Sequence, residues 1–279
     1  MTLLQKLTQY LQASEMIQAA FIVGSQARSD CPADQYSDID IIVITTAPQQ
    51  YFNSDDWLAT IGVSCISVIE DSFLGGKARR ILFDCGTDLD FLVFAKELVA
   101  NISAGKLDWL LTRGYVVIKD ELGIAEILKQ ARCRANQPAE SFFRQDAFTN
   151  IVQNFWFHAV WAAKKMARGE LWTAKYCLDV YMKRHVLTLI EQNARLSGCK
   201  DAWYSGRFIE RWADPCILNS LAAAFAHYDV QDMARALLAT MGFFRDMATK
   251  LPFDYPKQAE QFAYRRVKAI INLEEIQDV

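Results

Sequence analysis

The sequence changes texture at Asn136-Gln137-Pro138. Before it, short apolar runs of strand length alternate with turn and capping residues. After it, long stretches keep the spacing of amphipathic helices. Strands gathered ahead of helices predict an α+β protein. The expected domains are a mixed α/β domain over residues 1–136 and an all-helical domain over residues 137–279.

Within the first domain, Leu4, Leu7 and Leu11 place a helix over residues 3–19. Ala20-Phe21-Ile22-Val23 reads as a buried strand that ends in a turn at Gly24. Residues 26–36 read as a short helix or loop. The pattern from Asp38 to Thr45 predicts a second strand, and residues 54–61 a capped helix. Further strands are expected over 63–69, 80–83, 88–93 and, at an edge, 115–118. Helices are expected over 141–168, 171–196, 205–213, 216–226, 230–250 and 256–274, with Gly169, Gly198 and Pro252 between them.

Composition narrows the function classes. The chain has 279 residues, 52% hydrophobic and 23% charged, which suits a folded globular protein. Seven Cys without a CxxC pair and three scattered His give no zinc or iron–sulfur pattern. The odd cysteine count and the lack of a secretory leader predict a cytoplasmic protein with its cysteines as small core residues. No apolar run approaches the roughly 20 residues of a membrane span. Residues 1–140 carry 12 Lys+Arg against 18 Asp+Glu, a balance of −6; the rest of the chain balances at +3. Neither half has the basic surface of a nucleic-acid binder. An acidic first half suits metal ions or a cationic ligand.

The chemistry is concentrated in Gly24-Ser25, Asp38-Ile39-Asp40 and Asp88-Leu89-Asp90. Residues two apart in a strand share a face, so Asp38 projects beside Asp40 and Asp88 beside Asp90. Carboxylates gathered on neighbouring strands repel unless a cation lies between them, and such oxygen clusters suit Mg²⁺. A Gly-Ser turn between strand and helix presents N–H groups and a hydroxyl to a phosphate. A DxD alone is common on solvent-facing strands. Here it follows a buried strand and a Gly-Ser turn, with a second acidic strand to come, and together these parts predict metal-assisted nucleotidyl transfer.

The segment FIVGSQARSD…YSDIDIIVI resembles the signature of the DNA polymerase beta-like nucleotidyltransferases. WLATIGVSCISVIED, RRILFDCGTDLDFLVF, NFWFHAVWAAKKMARGELWTAKYCLD and FDYPKQAEQFAYRRV narrow the likeness to the aminoglycoside 6-adenylyltransferases, also called streptomycin adenylyltransferases. The resemblance covers most of the chain. It departs at Gln26, where the family often has Arg, and at Ile39, where it often has Tyr.

What the resemblance implies is a polymerase beta-like domain, a mixed sheet with flanking helices, followed by an all-helical substrate-binding domain. A hydroxyl of streptomycin would attack the α-phosphorus of ATP in line and release pyrophosphate, which confers antibiotic resistance. Asp38, Asp40 and Asp90 would be the catalytic carboxylates and hold two Mg²⁺ ions; Asp90 is preferred to Asp88 because it aligns with the family's position. Gly24, Ser25 and Arg28 would hold the phosphates. Asp88, Glu170, Asp179 and Trp172 are candidates for the polycationic antibiotic, with Trp156, Trp161 and Tyr176 as further aromatic surface, although an aromatic stripe at helical spacing is more often core. His158, His185 and His227 have no metal-like spacing and are expected to be structural or on the surface. The same fold also suits a nucleotidyltransferase acting on another small alcohol such as a lincosamide, or a protein-modifying or antitoxin-like member. A monomer or homodimer is expected, with no nucleic-acid or membrane partner.

Overall fold

The computed structural model describes residues 1–135, 143–199, 202 and 204–271. The chain divides into two compact units, residues 1–140 and 141–279. The expected boundary at 136/137 lies outside the described residues.

The first unit is built on six strands: β1 Ile17–Val23, β2 Ile39–Thr45, β3 Ser64–Asp71, β4 Lys77–Phe83, β5 Asp88–Phe94 and β6 Val116–Asp120. Their order across the sheet is β3-β4-β5-β2-β1-β6. β2 and β5 run parallel, and every other neighbouring pair is antiparallel. The helix Leu3–Ala13 and the short turns Gln50–Asn53 and Asp56–Ala59 supply Leu7, Leu11, Tyr51, Trp57 and Leu58 to a core on one face, against Ile39, Ile41, Val43, Leu89 and Phe91. On the other face Leu98, Ile102, Leu111, Ile124 and Leu128 cover Phe21, Ile42, Ile44 and Phe94. Central strand β2 is therefore buried on both sides, and Ile41-Ile42-Val43-Ile44 reads as one apolar run.

Local signals set several boundaries. The first helix starts at a capping box of Thr2 and Gln5. It stops at Ala13, short of the expected residue 19, because Ile17 and Ala19 pair with Thr45 and Ile44 and extend β1 backwards. The helix expected over 54–61 is a single turn, Asp56–Ala59, parted from the turn Gln50–Asn53 before it by extended backbone at Ser54. Buried Arg79 donates to the carbonyls of Tyr51 and Ser54 at 2.9 and 3.0 Å, to the Ser67 hydroxyl and to Asp55, and so ties both turns to the sheet. The helix Ile124–Ala135 is started by Asp120, whose carboxylate accepts from the N–H groups of Leu122, Ile124 and Ala125 and is held below the usual carboxylate range by them.

The second unit is helical. Gln145–Ala167, Leu171–Tyr176, Met182–Leu196, Pro215–Ala224, Val230–Ala248 and Lys257–Ile270 match the expected stretches closely, of which 141–142 and 272–274 lie outside the described residues. The region 205–213 differs: only Ile209–Trp212 is α-helical, and Ser205 and Phe208 adopt positive φ. The core centres on Phe148, Val152, Phe155, Trp156, Leu237 and Phe244, with the rings of Phe155 and Phe244 stacked at 3.6 Å. A π-helical turn, Cys177–Tyr181, joins Tyr176 to Met182 without a break. Among the described residues no helix is long and apolar enough to cross a membrane.

The cysteine expectation needs correction. Cys177 is buried, but Cys65, Cys85, Cys133 and Cys216 are exposed. They stand mostly on turns and outward faces, positions that apolar counting does not distinguish from core.

Candidate active site

The parallel register of β2 and β5 builds the site. Asp40 is paired with Asp90, and paired residues on neighbouring strands point to the same face about 4.8 Å apart. Asp38 precedes Asp40 by two positions and shares that face. One carboxylate oxygen from each of the three lies within 4.8 Å of the others, and all three residues are half-buried. Further along the same face, Ile42, Ile44 and Phe94 are roofed by helices. The acids thus stand just beyond the part of this face that the helices cover.

Gly24 brings β1 to the same place. Val23 pairs with Asp40, and Gly24 then turns with φ +69°, in the left-handed region. A Cβ at this position would overlap the Asp40 Oδ2 and stand 3.0 Å from its Cγ. Glycine is therefore required twice, by backbone conformation and by space. Gly24–Ala27 forms a 3-10 turn, inside which Ser25 is buried. Its hydroxyl donates to the Asp38 carbonyl at 3.2 Å, so the turn is pinned to the start of β2. The Arg28 Nε donates to the Cys31 carbonyl at the end of this turn.

Burial pushes the Asp90 carboxyl up from its ordinary value; Arg80 opposes the shift, and Asp38, Asp88 and Glu70 reinforce it. Arg80 lies directly across from Asp90 on β4. Its Nε is 3.6 Å from Asp90 and 3.3 Å from Glu70 on β3. Asp88 is exposed at the start of β5, and it is Asp90, not Asp88, that Arg80 meets. Arg80 and Glu70 lie outside the predicted site, because no short-range pattern marks a residue as a cross-strand neighbour of a carboxylate.

This donor set fits a hard divalent cation. Oxygens bound to one Mg²⁺ at about 2.1 Å stand at most about 4.2 Å apart. A spread of 4.8 Å therefore needs only a slight inward turn of the side chains. Three like charges at this distance also favour a cation over mutual repulsion.

The candidates in the helical unit fall into two groups. Trp156 is 2% exposed, and its indole N–H donates to the Tyr255 hydroxyl at 3.0 Å, so it is a core residue. Trp161, Trp172 and Tyr176 line one cavity of about 350 Å³ with His158, Cys177 and Tyr181. Glu170 is bound by Lys165 at 2.5 Å and Arg168 at 2.7 Å. Asp179 is bound by Lys175 at 2.5 Å, with Lys183 4.0 Å away. Of the histidines, His158 bonds the Asn154 carbonyl from within its own helix, and His185 packs edge-on against Tyr181 with its pKa lowered by burial.

An α+β protein that gathers carboxylates from two parallel-paired strands against a glycine turn has the build of a nucleotidyltransferase. The chain belongs to the streptomycin adenylyltransferase family, whose model matches residues 1–269. The crystal structure of an aminoglycoside 6-adenyltransferase from Bacillus subtilis is similar over 96% of this chain and 95% of that one, at 15% identity and a TM-score of 0.44. A nucleotidyltransferase-like protein from Exiguobacterium sibiricum 255-15 is similar over 87% of this chain and 74% of that one, at 13% identity and a TM-score of 0.34. No curated protein matches the chain.

Proposed function

We propose that the protein transfers AMP from ATP to a hydroxyl of streptomycin, with release of pyrophosphate, and so confers resistance to the antibiotic. The observation that carries the chemistry is the convergence of Asp38, Asp40 and Asp90 within 4.8 Å. The family match carries the substrate class.

Asp38 and Asp40 would hold Mg²⁺ for the triphosphate, and Asp90 would complete the set on the side of the acceptor hydroxyl. Bound there, Mg²⁺ supplies charge neutralisation for the phosphates and acidifies the attacking hydroxyl. Burial raises the proton affinity of the Asp90 carboxylate, which suits it to take up the hydroxyl proton. The N–H groups of the Gly24–Ala27 turn and the Arg28 guanidinium hold the phosphates, while the Ser25 hydroxyl keeps that turn in register with Asp38.

The antibiotic is a polycation and needs unpaired carboxylate at its subsite. Asp88, exposed beside the acids, is the strongest candidate. Glu170 and Asp179 would have to exchange their own lysines for the ligand. Trp172 and Tyr176, both well exposed, offer flat surface to guanidinium groups.

The test is incubation with Mg²⁺, each nucleoside triphosphate in turn, and a panel containing streptomycin and lincomycin. Pyrophosphate release together with a streptomycin mass gain of one AMP is expected. Transfer to lincomycin with none to streptomycin would replace the proposal with a lincosamide nucleotidyltransferase.

A further inference from the structure

One row of the sheet carries more than the three acids. Val68, Arg80, Asp90 and Asp40 are in register across β3, β4, β5 and β2. Glu70 is two residues from Val68 and shares its face, so it stands diagonally from Arg80. The single Arg80 guanidinium lies between two carboxylates, 3.3 Å from Glu70 and 3.6 Å from Asp90. Both are loose ion pairs, and the Arg80 side chain is 56% exposed. Shifting it from one partner to the other therefore costs little.

We propose that Arg80 and Glu70 form a counter-ion relay that sets the cation affinity of the Asp38–Asp40–Asp90 site. Arg80 partly neutralises Asp90 until a divalent cation takes over that carboxylate. The guanidinium is then a like charge beside the cation, and Glu70 retains it. Glu70 acts chiefly through Arg80, as a positioning residue, and only weakly through its own charge. The relay rests on the metal-ligand role proposed for Asp90. It couples two equilibria, so a change in one must appear in the other.

The test is Mn²⁺ binding to the full chain without nucleotide or antibiotic, followed by the electron paramagnetic resonance signal of the free ion. Arg80→Gln should tighten Mn²⁺ binding by about threefold or more, because a cation no longer competes for Asp90. Glu70→Gln should weaken it by about as much, since Arg80 then has Asp90 as its sole carboxylate partner in the row. Arg80→Gln combined with Glu70→Gln should bind like Arg80→Gln alone, because Glu70 has lost the residue through which it acts. Arg80→Lys should stay near the parent. Both side chains are exposed, and circular dichroism checks that each variant is folded. The relay is overturned if Arg80→Gln leaves the affinity unchanged, or if the double variant falls midway between the singles. If Asp90→Asn binds Mn²⁺ like the parent, the ligand role fails and the relay with it, a pattern distinct from the other two.

Discussion

The Asp40 carboxylate occupies the space where a side chain on residue 24 would begin: a Cβ on Gly24 would overlap its Oδ2. The backbone of β1 and the acid of β2 are therefore fitted to each other. Gly24→Ala must expel Asp40 from its position and also hold an L-residue at φ +69°. The strain alone is worth about 1–2 kcal/mol. Nucleotidyl transfer, followed by pyrophosphate release, should fall at least a hundredfold while the circular dichroism spectrum stays that of a folded protein. Parent-like turnover would show that the fit has no bearing on the chemistry.

Asp38→Asn, Asp40→Asn and Asp90→Asn should each abolish transfer and leave the melting temperature close to the parent, because half-buried like charges contribute little to packing. Combining two of them should cost little beyond one, as expected of residues that act as a unit. A variant of the three that keeps its turnover number would be removed from the mechanism.

Ser25→Ala should lower stability by about 1 kcal/mol through loss of the bond to the Asp38 carbonyl. It should also weaken Mn²⁺ binding, because Asp38 loses its brace. A raised KM for ATP with unchanged Mn²⁺ affinity would instead assign the hydroxyl to the phosphates.

Lys183 gives a pH dependence of stability. Burial lowers its pKa from 10.5 to about 8, and its Nζ donates to the Leu178 carbonyl and to the Thr240 hydroxyl. Asp179 opposes the shift and Lys175 adds to it. Between pH 8 and 10.5 the unfolded chain holds this proton and the folded chain does not, so the Lys183 contribution to stability rises with pH across that window. The buried Cys177 thiol, pushed up to about 11 from 9.0, acts the other way above pH 9. The clean quantity is the difference between the parent and Lys183→Met in urea unfolding from about pH 7.5 to 9. The parent should gain on the variant as pH rises, and parallel curves would refute the assignment.

Salt dependence separates the candidate acids for the antibiotic. Streptomycin affinity, measured by calorimetric titration with a non-hydrolysable ATP analogue, should fall as salt rises. Asp88→Asn should flatten that slope more than Glu170→Gln or Asp179→Asn, because the last two are already held by lysines. A larger effect at Glu170 or Asp179 would move the subsite to the helical unit.

The sequence by itself determined the α+β class, the six strands, most of the long helices, and the acids that share a face along one strand. Alternation and helical period are local properties: Asp38 and Asp40 are neighbours on β2 whatever surrounds them. The tertiary structure decided what meets across strands and helices. Register, not pattern, sets Asp40 opposite Asp90 and leaves Asp88 at the exposed end of β5. Register also puts Arg80 beside Asp90, and Ser25 gives its hydroxyl to the Asp38 carbonyl thirteen residues on. In the helical unit, Trp156 and Trp172 look alike as sequence, yet Tyr255 draws one into the core while the other stands in solvent. Glu170 and Asp179 are held by Lys165 and Lys175, five and four residues before them, and these local pairs, unlike the cross-strand ones, were open to a reading of helical spacing. Charge and polarity belong to the residue; pairing and burial belong to contacts between segments, which only the folded chain fixes.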